Sequence, residues 1–177
     1  MFKLLDLYSK NCYDTDKNTI HCYIEKIYDD LFLEKLDATN ILEIGTQNGG
    51  SILLWRDFFQ KAIIDAVDIC DCSHKIDNNR INHIIGNAYE TEFLKKLQNY
   101  DIIIDDGPHT LDSMKFFIQN YLSLLKPCGI AIIEDIQSID WIDILTELIP
   151  SGFHFFVHDL RNVKNRYDDI VLVIRNR

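Results

Sequence analysis

Three isoleucines in a row, Ile102–Ile104, stand between Asp101 and the acid pair Asp105-Asp106. A short run with no polar alternation reads as a strand buried on both faces, the kind found in parallel sheets with helices on either side. The two acids arrive where the strand ends, Gly107-Pro108 turns the chain, and His109 follows. In open α/β sheets, ligands bind outside the carboxyl ends of the strands. A second apolar run, Gly129–Ile133, ends in the same way, in Glu134-Asp135. Taken singly, Asp105-Asp106 reads as a solvated strand end and His109 as a helix cap. Two strands that each deliver two acids to one edge read together as a site. Without a cation, so many carboxylates would repel and raise one another's pKa.

The rest of the chain supplies the sheet around that strand. Thr19 to Leu36 carries a helical pattern, with Ile20, Tyr23, Ile24, Ile27, Tyr28, Leu31 and Phe32 on one face. Residues 1–18 are polar and show no clear period. Strands are expected at 41–44, 62–67, 82–85, 100–105 and 129–134, with helices at 51–60, 90–97, 111–125 and 139–148 between and after them. Residues 70–80 suit one helical turn. Two apolar runs, 153–158 and 169–174, joined by a polar loop, suit an antiparallel pair. This order predicts an α/β fold: one Rossmann-like, doubly wound sheet of about seven strands, the last pair antiparallel. Residues 1–36 form a helical lead-in and residues 37–177 the core of a single domain.

Composition narrows the function. The 177 residues are enough for one core without disulfide or metal staples. A net charge of −10 argues against a nucleic-acid surface and against docking on anionic lipid. The five cysteines are odd in number and scattered, which suits reduced thiols in a cytoplasmic protein. Cys70-x-Cys72 with His74 lacks the second ligand pair that a zinc site needs. No stretch has the apolar length of a signal peptide or a membrane helix.

Glu43-Ile-Gly-Thr-Gln-Asn-Gly-Gly-Ser51 is a glycine-rich turn between a strand and a helix, suited to a nucleotide-like ligand against backbone N–H groups. It lacks the dinucleotide G-x-G-x-x-G spacing, and no Lys-Ser/Thr follows to make a P-loop. Glu43, Gly45, Thr46 and Ser51 are candidate cofactor-binding residues here, although Gly45 also serves as a tight turn and Ser51 as a helix cap. Asp68 closes the second strand, where an acid can take a ribose diol or simply cap a loop.

Ile41-Leu-Glu-Ile-Gly45, Gly49-Gly-Ser-Ile-Leu-Leu-Trp55, Asp57-Phe-Phe59 and Val67-Asp-Ile69 resemble S-adenosylmethionine-dependent class I methyltransferases. Within that class the chain is similar to the macrolide-sugar O-methyltransferases of the mycinamicin and demethylmacrocin type. Thr15-Asp-Lys17, His21 and Tyr23 fit the lead-in of that group. Asp105-Asp106-Gly-x-His109 and Ile133-Glu-Asp135 fit its site motifs, and Arg161 with Tyr167-Asp-Asp169 its final hairpin. The resemblance runs from about Thr15 to Ile174. It departs at Pro108, where a Ser is usual, and in lacking a counterpart of the large N-terminal auxiliary domain, which turns the expected acceptor away from an intact macrolide.

The resemblance implies Mg²⁺-dependent methyl transfer from S-adenosylmethionine to a sugar hydroxyl. It makes Asp106, Glu134 and Asp135 the metal ligands and His109 the general base. It puts Asp105 near the amino-acid end of the cofactor, and Asn87 and Ala88 where the fold touches adenine, although Asn87 also reads as a turn residue. Mg²⁺ prefers hard oxygen ligands, and an imidazole can accept a proton near neutral pH. The expected acceptor is a deoxysugar, nucleotide-sugar, glycan or glycosylated natural product, and a second subunit is a way to complete its pocket as a homo-oligomer. Arg161, Lys164 and Arg166 form a basic cluster that reads either as a phosphate contact or as a solvated loop. A catechol-type O-methyltransferase, a nicotinamide-binding oxidoreductase and a non-catalytic scaffold are the competing readings.

Overall fold

Ile102, Ile103 and Ile104 are all fully buried, as an uninterrupted apolar strand requires. Ile102 and Ile104 pack on one side of the sheet and Ile103 on the other, into two separate cores. The computed structural model describes residues 3–71 and 79–177, so Cys72 and His74 of the imagined zinc cluster lie outside the described residues. Among the described residues, seven strands form one sheet. They are β1 (Asn40–Ile44), β2 (Ile63–Asp68), β3 (Ile81–Ile85), β4 (Tyr100–Asp105), β5 (Leu125–Ile133), β6 (Phe153–Asp159) and β7 (Ile170–Asn176). Their spatial order is β3-β2-β1-β4-β5-β7-β6. The first five are parallel, and β7 runs antiparallel between β5 and β6. This is the doubly wound sheet expected from the strand pattern. The order reverses between β1 and β4, which opens a crevice at their carboxyl ends.

The helices flank this sheet. Among the described residues, those of four or more residues in α form are α1 (Leu4–Lys10), α2 (Gly50–Phe58), α3 (Leu111–Tyr121), α4 (Trp141–Thr146) and α5 (Arg161–Lys164). Thr110 caps α3, its hydroxyl accepting from the Ser113 N–H at 3.2 Å. Among the described residues no helix is long and apolar enough to cross a membrane.

Three local expectations give way. The stretch without a period holds α1, whose Leu4 is buried in the same core as α2. The expected helix at 90–97 shrinks to one 3₁₀ turn, Phe93–Lys96. The long helix expected from Thr19 instead leaves Ile20 exposed and winds as a π-turn, Ile24–Tyr28, a short α segment, Asp29–Leu31, and a 3₁₀ turn, Phe32–Lys35. A π-turn repeats at i, i+5. Tyr23 and Tyr28 are five residues apart, and both hydroxyls reach the acids that follow β5.

Candidate active site at the strand tips

The glycine turn follows β1 because the backbone there has no room for a side chain. Gly45 has φ +87°, and a Cβ on it would lie 1.9 Å from the carbonyl oxygen of Asp106. At Gly50 a Cβ would lie 2.0 Å from the carbonyl oxygen of Asp14, so the segment ahead of β1 packs directly onto the turn. Asp68, at the end of β2, accepts from the N–H groups of Thr46 and Gln47, each at 3.0 Å, and so fixes the turn's shape.

A cavity of about 750 Å³ opens along these strand ends. Gly45, Asp68, Asn87 and Ala88 line it, and so do Asp106, His109 and Asp135. His109 and Asp135 both hold positive φ, +52° and +53°, a conformation that non-glycine residues adopt mainly where a surrounding structure imposes it. His109 Nε2 lies 3.7 Å from Asp106 Oδ1 and 3.7 Å from Asp135 Oδ2, beyond hydrogen-bond reach of either. One ligand atom from each of these three residues falls within 4.8 Å of the others. The two carboxylate oxygens at that spacing suit a hard divalent cation, with the imidazole beside them.

Behind this trio sits the ammonium of Lys17, a lead-in residue to which the resemblance attached no role. Lys17 Nζ donates to Asp106 Oδ2 at 2.7 Å and to Glu134 Oε2 at 2.5 Å, and lies 3.7 Å from Glu43 Oε1. Burial would lower its pKa, but the three carboxylates outweigh that and hold Lys17 protonated. Tyr28 donates to the other oxygen of Glu134, and Tyr23 donates to Asp135 Oδ1 at 2.5 Å. His21 Nδ1 lies 2.5 Å from Asp169 Oδ1, and both residues are buried.

No family model matches the chain. Over 112 residues it is 33% identical to mycinamicin VI 2''-O-methyltransferase of Micromonospora griseorubida, a match covering 57% of this chain and 28% of that enzyme. Over 126 residues it is 30% identical to demethylmacrocin O-methyltransferase of Streptomyces fradiae, covering 64% of this chain and 32% of that enzyme. The chain therefore spans about a third or less of the length of these curated relatives. A solved structure of the MycE methyltransferase from the mycinamycin pathway, in complex with Mg, SAH and mycinamycin VI, matches with TM-score 0.77 at 26% identity. That match covers 98% of this chain and 54% of MycE. The fold is that of a class I methyltransferase. In sequence and in fold the chain resembles the mycinamicin and demethylmacrocin O-methyltransferases.

Against this methyltransferase fold, the site residues expected from the sequence fall into two groups. Gly45, Asp68, Asn87, Ala88, Asp106, His109 and Asp135 line the cavity. Glu43, Thr46, Ser51, Asp105 and Glu134 are buried beside or behind it. Glu43 accepts from Ser51 Oγ at 2.7 Å and from the Trp55 indole, tying β1 to α2. Burial raises the Glu43 pKa against the pull of Lys17. Asp105 turns to the side opposite Asp106 and accepts from the Tyr89 hydroxyl. Burial pushes its carboxyl up to about 7, although the Tyr89 bond works the other way. Burial likewise raises Glu134 against the pull of Lys17, while burial and then the Asp106 charge raise Asp135. The basic cluster is internally paired: Arg161 with Asp159, Arg166 with Asp168, and Lys164 with the Thr19 carbonyl.

Proposed function

We propose that this chain is a Mg²⁺-dependent S-adenosylmethionine O-methyltransferase that acts on a sugar hydroxyl. The observation that carries this reading is a single cavity lined both by the glycine turn and by Asp106, His109 and Asp135. The mycinamicin relative, and a Streptomyces olivaceus relative named for 2'-O-methylation of an α-L-rhamnosyl tetracenomycin, support the acceptor class.

The glycine turn would take the donor's amino-acid end against backbone N–H groups, with Asp68 on the ribose side and Asn87-Ala88 near the adenine. Asp106 and Asp135 supply hard oxygens toward the cation. Glu134, the third acid of the expected set, spends one oxygen on Lys17 and the other on Tyr28 and backs the cavity from behind. When bound, Mg²⁺ makes a sugar hydroxyl more acidic, and S-adenosylmethionine supplies an electrophilic methyl group. His109, free of either carboxylate, takes the hydroxyl proton at Nε2. With that proton taken up, the hydroxyl oxygen would be free to accept the donor's methyl group, with S-adenosylhomocysteine as the product. Much of the rate comes from holding the two reactants in line within one cavity.

Calorimetry with S-adenosylhomocysteine and with NAD⁺, followed by methylation of a sugar panel with and without EDTA, tests this reading. It expects binding of S-adenosylhomocysteine and an EDTA-sensitive activity that Mg²⁺ restores. Binding of NAD⁺ alone, or activity on dihydroxybenzenes exceeding that on sugars, would overturn it.

A further inference from the structure

Each carboxylate at the acid end of the cavity has one oxygen held from behind by the segment that precedes β1. Asp106 presents Oδ2 to Lys17 at 2.7 Å, which leaves Oδ1 facing His109 at 3.7 Å. Asp135 presents Oδ1 to the Tyr23 hydroxyl at 2.5 Å, which leaves Oδ2 facing the same His109 nitrogen at 3.7 Å. The two outer oxygens therefore converge on one side while the two inner ones are spent.

The donors that impose this division are themselves fixed. Lys17 and Tyr23 are each 1% exposed. Lys17 is held by Glu134, and Tyr23 stacks on His21 with ring centroids 4.6 Å apart. His21 is in turn held by Asp169. Asp135 sits at positive φ, where its side chain would not be aimed by ordinary helix or strand geometry.

We propose that Lys17 and Tyr23 are positioning residues, each taking the inner oxygen of one carboxylate so that Asp106 and Asp135 offer one outer oxygen apiece to the divalent cation. This rests on the Mg²⁺ reading above. Neither residue lines the cavity; each acts through the carboxylate it holds. Partners of this kind, one bond behind the ligands, typically change metal affinity about 10- to 100-fold when removed.

The test is Mn²⁺ binding to the full chain, stripped with EDTA and free of donor and acceptor, followed by electron paramagnetic resonance of the free ion. Tyr23→Phe keeps the ring and its stacking and removes only the hydroxyl. The expected result is Mn²⁺ binding weakened about 10- to 100-fold with a melting temperature in EDTA close to wild type. Unchanged affinity would overturn the role of Tyr23. Lys17→Met separates orientation from charge, because loss of a nearby positive charge should by itself tighten cation binding. Weaker binding supports the positioning role, and tighter binding overturns it by making Lys17 a competitor for the same oxygens. Should Lys17→Met fail to fold, Lys17→Arg keeps the charge and changes the reach; weakened binding supports the proposal and unchanged binding overturns it. A wild-type protein that binds no Mn²⁺ would instead refute the metal reading itself, and the inference with it.

Discussion

Asp105 ties the stability of this fold to pH in a direction opposite to that of an ordinary salt-bridged carboxylate. Its side chain is 3% exposed, and burial pushes its pKa up to about 7. In the unfolded chain the same group titrates near ~3.9. The folded state therefore holds the proton more tightly, and stability falls as pH rises between these values. The full difference of about three pKa units corresponds to about 4 kcal/mol at ~1.4 kcal/mol per unit. About half of that is already lost by pH 5.5, where the unfolded carboxyl is ionised, so about 2 kcal/mol remains to be lost between pH 5.5 and 8. Asp105→Asn keeps the size and an oxygen for the Tyr89 hydroxyl and removes the titration. Urea denaturation of the metal-free protein at pH 5.5 and 8 should show wild type losing about 2 kcal/mol more than the variant over that range. Equal losses would refute the assignment of a raised pKa to Asp105, and a smaller loss in wild type would refute its sign.

Tyr89→Phe removes the hydrogen bond that lowers the Asp105 pKa, so its urea midpoint should fall more steeply with pH than that of wild type. Gly45→Ala forces a Cβ against the Asp106 carbonyl in a left-handed conformation and should cost at least ~2 kcal/mol, with S-adenosylhomocysteine binding lost in calorimetry. His109→Ala should lower kcat by about 10²- to 10⁴-fold and leave S-adenosylhomocysteine affinity unchanged; comparable loss of both would place His109 on the donor instead. Trp55→Phe deletes the indole donor to buried Glu43 and should destabilise by about 1–3 kcal/mol in the same urea assay.

What could be read from the chain was what local chemistry dictates. Ile102–Ile104 admit no half-exposed strand, so the covered parallel sheet followed from that run. The glycine turn after β1 was legible for a similar reason, since its conformation at Gly45 excludes side chains. The acids were legible because each pair directly follows an apolar strand. What stayed hidden depends on partners distant in sequence. Lys17 meets Asp106 and Glu134 across 89 and 117 residues, and in its own neighbourhood it is one lysine in a polar stretch. The short helix α1 was missed because its few apolar residues find their burial only against elements later in the chain. The π-turn broke an expected 3.6-residue pattern because tertiary bonds from Tyr23 and Tyr28 to two neighbouring acids set its repeat.

The distribution of charge at the strand tips gives the cation reading its physical basis. Glu43, Asp106 and Glu134 share the single ammonium of Lys17, and Asp135 and Asp169 share the imidazole of His21. Lys17 and His21 lie on the inner side, outside the cavity lining, one ammonium and one imidazole against five carboxylates. Buried charges need compensation from partners or a bound ion. Asp106 and Asp135 are the two of these acids that line the cavity, and each keeps an oxygen turned toward it. A divalent cation there would face two carboxylate oxygens already aimed and an imidazole beside them. A monovalent ammonium already fills the inner position. The site is thus divided by depth: Lys17 serves the acids that hold the fold together, and the outer oxygens remain for chemistry.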